Sequence, residues 1–180
     1  VIEWSLDMQW PDNSFWDFSL RLYAGDGMAP ICLEVQNRHA ADINLLLFCA
    51  WAGVLGHRLD GADMATAKQA VGRWNGEIVV ALRGLRTKLK TDAMGAAPEL
   101  AEAIRTEIKR AELNAEHGEQ IMLSGVLEKL RQIGGEDALA AADFNMRFYL
   151  ESLGAKLEKS DFDGLRTIAE FAARINAGNA

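Results

Sequence analysis

Apolar residues recur along this chain three and four positions apart, the spacing of a buried helical face. One short alternation, Ile31, Leu33 and Val35, lies between helical segments and is read with them as helix. Residues 45–55 stand out because none is charged and the apolar positions favour no face. A helix that is apolar all round is buried all round, so this stretch is predicted to be the central helix, with Asp42 at its N-cap. Before it the pattern predicts helices over 15–23, with Phe15, Phe18 and Leu22 on one face, and over 29–38, where Pro30 suits the first turn. After it come a small-residue helix over 64–73, a loosened stretch where Gly72 and Gly76 bracket Trp74, and an amphipathic helix over 77–90. In that last helix Ile78, Leu82, Leu85 and Leu89 are expected to face the core.

Pro98 opens a long helix that the pattern carries as far as Ile133. Leu100, Ile104, Ile108, Ala111, Ala115 and Met122 form its expected apolar stripe. Arg105, Lys109, Glu112, Glu116 and Glu119 form a polar one, and Gly118 and Gly125 are expected bends. Gly134-Gly135 ends it. A helix over 136–153 follows, with Leu139, Ala142, Met146, Tyr149 and Leu153 inward, and Ser160 or Asp161 caps a last helix that buries Leu165, Ile168, Ala172 and Ile175. The expected fold is all-α, an irregular bundle of seven or eight helices around one apolar central helix. Residues 1–13 read as an N-terminal arm, 14–133 as the helical core and 134–180 as a C-terminal helical pair packing on it. The helix from Pro98 is too long for a compact domain to cover, so either Gly118 folds it back or its far end packs on a partner chain.

Composition narrows the function classes. The chain has 180 residues, 49% of them apolar, and a formal charge of −7. Residues 91–180 carry most of that charge, with ten Lys/Arg against sixteen Asp/Glu. An acidic chain is a poor binder of nucleic acid or of an anionic membrane. The central apolar run is shorter than the roughly 20 residues a membrane span needs. Cys32 and Cys49 have no CxxC neighbour and sit in apolar settings, so both are expected to be buried, reduced thiols. With no secretory leader legible in the opening residues, the cytoplasm is the expected compartment.

Specific chemistry is sparse. There is no GxSxG, and neither cysteine neighbours a histidine. His39, His57 and His117 are scattered and read as surface or capping residues. Glu107, Glu112, Glu116 and Glu119 near His117 invite a di-iron comparison, but that site needs Glu-x-x-His, and adjacent Glu116 and His117 point about 100° apart. A solvated, ion-paired face is expected there, with no metal and no cofactor. The strongest lead is Arg83 and Arg86 on one stripe, able to grip a carboxylate or phosphate, or else to pair with the acidic face of the following helix. Asn44 and Asp17 are polar residues in apolar surroundings and must be hydrogen-bonded. They hold structure together or line a polar pocket. In the pocket reading the ligand-binding residues are Asp17, Asn44, Trp74, Arg83 and Arg86.

Several segments carry a resemblance: Phe15-Trp16-Asp17-Phe18-Ser19-Leu20, then Asp42-Ile43-Asn44-Leu45-Leu46-Leu47-Phe48, then Trp74 with Ile78-Val79, Leu82-Arg83 and Leu85-Arg86, then Ala111-Glu112-Leu113. Over residues 14–120 the chain resembles a family of uncharacterised bacterial all-α proteins, a domain of unknown function. The resemblance implies a small cytoplasmic helical protein and no activity, cofactor or substrate. It also implies that the C-terminal helical pair is an extension of the family's core, and that Ala81 stands where many members have proline.

The sequence names no activity, and whether the protein is an enzyme stays open. The reading it favours is a non-enzymatic helical protein acting through protein–protein contacts as a homodimer, given the long helix and five tryptophans. The alternative is a small anionic-ligand-binding protein or enzyme with an Arg-lined polar pocket.

Overall fold

Helix starts are fixed by side chains that take up N–H groups no helix can pair internally. Asn13 Oδ1 accepts from the amides of Phe15 (3.0 Å) and Trp16 (3.4 Å) and opens α1, Ser14–Tyr23. Gly27, at φ 77° where a side chain would be strained, leads into α2, Met28–His39. Asp42 Oδ1 accepts from Asn44 N (2.9 Å) and Leu45 N (3.4 Å) and opens α3, Ile43–Val54. Asp60 and Asp63 form a capping box at the start of α4, Gly61–Trp74. Then α4 continues through a π-helical segment, Asn75–Val79, directly into α5, Val80–Thr91. Pro98 begins α6, Pro98–Leu127, Asp137 caps α7, Ala138–Glu151, and Glu158 with Asp161 boxes the start of α8, Lys159–Asn176. The structure, a computed structural model, describes residues 10–130 and 137–178. Among these residues it is all-α, with no strand. Residues 1–9 of the expected arm, the expected end at Ile133 and the start at Glu136 lie outside the described residues.

The core forms around α3, in which every residue except Trp51 is buried. One side of α3 lies along α7, so closely that a Cβ on Gly53 would sit 2.3 Å from the backbone N of Ala142 and 2.4 Å from its Cα. Asn145, fully buried on α7, donates to the carbonyls of His57 (2.8 Å) and Cys49 (3.2 Å) and accepts from Leu59 N (2.9 Å). That one amide ties the turn after α3 to α7. α8 covers the end of α3 with Leu165, Ile168 and Ala172, and Asn176 Nδ2 caps the Val54 carbonyl at 2.9 Å. α1 closes the other side, where Phe15 stacks on Trp51 at 4.9 Å and meets Phe48 edge-on at 6.1 Å. Both cysteines are free and buried.

Three expectations are corrected. Gly118 and Gly125 do not interrupt α6, and Gly118 does not fold it back, since the helix runs unbroken for 30 residues, about 45 Å along the helix. A helical glycine costs only about 1 kcal/mol, and packing on the core and on Trp74 exceeds that. The leucine face of α5 does not enter the core: no residue of α5 is buried, and Leu85 is 52% exposed. α5 packs mainly on α6, and arginine–glutamate pairs bridge the two helices. Finally, the buried stripe of α6 is not the one read from its large apolar residues. Leu100, Ile104 and Met122 are exposed; of the expected stripe Ala115 is buried, and Ala101, Glu112, Glu119, Leu123 and Val126 face inward with it.

Candidate functional site

The first turn of α3, the middle of α6 and the π-helical segment meet in a hydrogen-bonded cluster of amides and carboxyls. Gln120 Nε2 donates to Asn44 Oδ1 (2.8 Å), and Asn44 Nδ2 donates to Glu119 Oε2 (2.9 Å). Asn75, carried on the π-helical segment, donates to the same carboxyl at 3.3 and 3.4 Å. The extra residue per turn of a π segment rotates the following side chains relative to an α-helix, and such segments occur often at functional sites. Glu119 is fully buried and also hydrogen-bonds the Asp42 carboxyl. Burial first, and then the proximity of Asp42, push the Glu119 carboxyl up to about 9. At neutral pH it is therefore a neutral acid, whose proton goes to Asp42. The Asp42 backbone N–H donates in turn to Tyr149 Oη at 2.9 Å, which links the cluster to α7.

Beside the cluster lies a cavity of about 320 Å³. Trp16, Leu20, Tyr23 and Leu113 form its apolar walls, and Asp42, Asn44, Arg83, Glu116 and Gln120 its polar ones. That size falls at the lower end of the range for small-molecule sites, roughly 300–1,000 Å³. Gln120 Oε1 is buried and has no hydrogen-bond partner. Tyr23 shares a hydrogen bond with Cys32, whose thiol burial pushes up to about 11, with that bond partly opposing. Arg83 Nε donates to Glu112 Oε1 (3.0 Å) and Arg83 Nη2 to Glu116 Oε1 (2.8 Å). Arg86 holds Glu112 through Nε (2.5 Å) and Nη2 (3.2 Å). Burial opposes charge on Glu112, yet the two guanidinium groups outweigh it and hold this carboxyl below its ordinary range. Glu116 goes the other way. Burial raises its carboxyl, Arg83 opposes, and Glu112 and Asp42 add to the rise.

The residues expected to form a pocket divide. Asn44 and Arg83 line the same cavity. Arg86 stands one step back, bound to Glu112. Trp74 lies outside the lining and is anchored by its Nε1 to the Ala115 carbonyl at 2.9 Å, its ring against Gly118. Asp17 is exposed and does not meet Asn44, because its position on α1 faces away from α3. It lies near His117, whose ring is stacked on Trp16 (4.2 Å between centroids) and tilted against Trp10 (4.6 Å). His117 is thus a buried residue and not a surface one, and burial lowers its pKa against the pull of Asp17. His39 is likewise engaged, with Nε2 2.9 Å from Asp161 Oδ1. The acidic face of α6 is not simply solvated either, since Glu112 and Glu119 are buried. Among the described residues no group of three or more His, Cys, Asp or Glu side chains could hold a metal ion.

The residues that reasoning from sequence missed are Glu119, Gln120, Asn75, Tyr23 and Trp16. A signal existed for Glu119: Glu112, Glu116 and Glu119 continue at the same spacing into Leu123 and Val126, which makes that stripe an inward face. Fold and site together define an all-α bundle with a buried acid–amide cluster opening on a cavity. The family described as Protein of unknown function (DUF2390) matches residues 14–123, well over half of the chain, and the chain belongs to it. No curated protein and no solved structure matches.

Proposed function

We propose that this protein binds a small molecule in the cavity between α1, α3, α5 and α6. The observation that carries this reading is the buried polar cluster on the cavity wall. Five hydrogen-bonding side chains converge there, and one of them, Gln120, keeps a buried oxygen without a partner. A buried unsatisfied acceptor costs about 1–3 kcal/mol, which a bound donor would recover. Of the five residues expected to bind, Asn44 and Arg83 are retained in this proposal. Arg86 serves by holding Glu112. A fragment screen by ligand-observed NMR tests it, repeated on Leu113→Trp, which fills the cavity mouth from an exposed position. Hits that vanish in the variant support the reading. An empty screen, or hits that ignore the variant, would reject it.

A second reading has its own observation: the outer faces of α5 and the first half of α6 expose Leu85, Leu100 and Ile104. Exposed apolar surface of this kind marks protein contacts, and homodimer formation through this hairpin is the form we propose. Light scattering decides it, since a monomer at micromolar concentration would rule it out. A cytoplasmic setting belongs to the same proposal and is supported by the two free, buried thiols. Among the described residues no helix is long and apolar enough to cross a membrane.

A further inference from the structure

We infer that the cavity takes an organic cation, an ammonium group carried on a flat apolar body, and not an anion. The inference rests on the cavity being a binding site, as proposed above, and three observations give the ligand its chemistry.

The first is hydrogen-bond direction. Glu119 accepts from Asn44 and Asn75 and gives its proton to Asp42. Asn44 must therefore turn its Nδ2 toward Glu119 and its Oδ1 toward Gln120, and Gln120 must spend its Nε2 on Asn44. Reversing both amides would set the Asn44 oxygen against a carboxyl whose single O–H is already used. The amide orientation is thus fixed by the network. What remains at its end is Gln120 Oε1, an acceptor on a side chain 2% exposed, belonging to the cavity lining and without a partner. A ligand meets it by donating an N–H or O–H.

The second is charge. Arg83 is the lining cation that would attract an anion, but its Nε and Nη2 are held by Glu112 and Glu116. Three carboxyls, Asp42, Glu112 and Glu116, surround two guanidinium groups, Arg83 and Arg86, which leaves the site short of one positive charge. An ammonium between Glu116 and Gln120 Oε1 supplies both the missing charge and the missing donor. The third observation is the apolar part of the lining: Trp16 and Tyr23 bring aromatic side chains to the cavity, and aromatic rings attract cations and flat apolar bodies alike.

The test is isothermal titration of the full chain with three probes, each a phenyl ring carrying its polar group on a two-carbon spacer: phenethylamine, 2-phenylethanol and 3-phenylpropionate. Phenethylamine is expected to bind at least tenfold more tightly than the other two. Glu116→Gln should weaken it at least tenfold. An anion site would instead prefer 3-phenylpropionate and lose it in Arg83→Met, checked by circular dichroism for an intact fold. If the alcohol or the acid binds as well as the amine, the cation assignment falls while the pocket stands. If none of the three binds but Leu113→Trp-sensitive fragments exist, the assignment falls in the same way. If no probe binds and no such fragment exists, the pocket falls with it.

Discussion

The two ends of α3 are built on opposite terms. Near its C-terminal end the helix meets α7 backbone to backbone at Gly53 and Ala142, with no room for a methyl group. Near its N-terminal end it meets α6 through Asn44, Glu119 and Gln120, and beside that contact the structure leaves a cavity of about 320 Å³. Close packing of small residues maximises dispersion contacts and fixes one geometry. A buried polar cluster has the opposite economy: each group was solvated in the unfolded chain and must recover its hydrogen bonds inside. An all-apolar first turn would have closed that end as tightly as the other. The contrast places the close packing at the α3–α7 contact and the polar cluster and cavity, the proposed binding end, at the α3–α6 contact.

Gly53→Val attacks the first end and should have the largest effect. The added atoms meet backbone that cannot rotate away, so a loss of about 3 kcal/mol or more is expected in denaturant unfolding. At the other end, two changes at Glu119 separate its shape from its proton. Glu119→Leu strands Asn44, Asn75 and Asp42 and should cost about 2–4 kcal/mol. Glu119→Gln keeps a donor for Asp42 and an acceptor for the amides, so at and below about pH 4.5, where Glu119 is protonated in both states, it should stay within about 1 kcal/mol of the parent. The pH dependence goes further. The folded chain keeps a proton on Glu119 up to about 9, while the unfolded chain releases it near the ordinary 4.5. This group's contribution is complete below about 4.5 and is lost as pH rises toward 9. Stability should therefore fall with rising pH across that window in the parent, and more weakly in Glu119→Gln.

Arg86→Ala should matter less. It removes one of two guanidinium groups from Glu112 but leaves Arg83 in place, so about 1 kcal/mol is expected. Smallest of all should be Leu85→Glu, on a helix with nothing buried, within about 0.5 kcal/mol for the monomer. A larger loss, dependent on protein concentration, would show that the α5–α6 hairpin is covered by a second copy.

The dry end of α3 was legible in the sequence and the wet end only in part. An uncharged run from Leu45 to Leu55 admits one reading, and Phe15, Leu22, Met146, Leu165 and Ile168 fall on it as their periodicity requires. The α5 leucines have the same periodicity and stay outside, because amphipathicity says that a face wants cover without saying which neighbour supplies it. Asn44 was conspicuous as a polar residue entering an apolar helix. Its partners were not, since Glu119 and Gln120 come from a helix far along the chain, and Asn75, which completes the shell of Glu119, from another. The likeness between residues 14–123 and their family also hid a dependence. α7 and α8 lie beyond the matched segment, yet α7 buries one whole side of α3, so here the C-terminal pair is part of the core.

The claim on which the contrast turns is that Glu119 is held as a neutral acid inside the cluster. Following its side-chain carboxyl carbon by 13C NMR in glutamate-labelled protein, with Glu119→Gln to assign the signal, measures this directly. A midpoint near 9, with the carboxyl fully protonated at pH 7, is the expected result. A midpoint near the ordinary 4.5 would contradict it, and would make the polar end of α3 a solvated surface instead of a buried site.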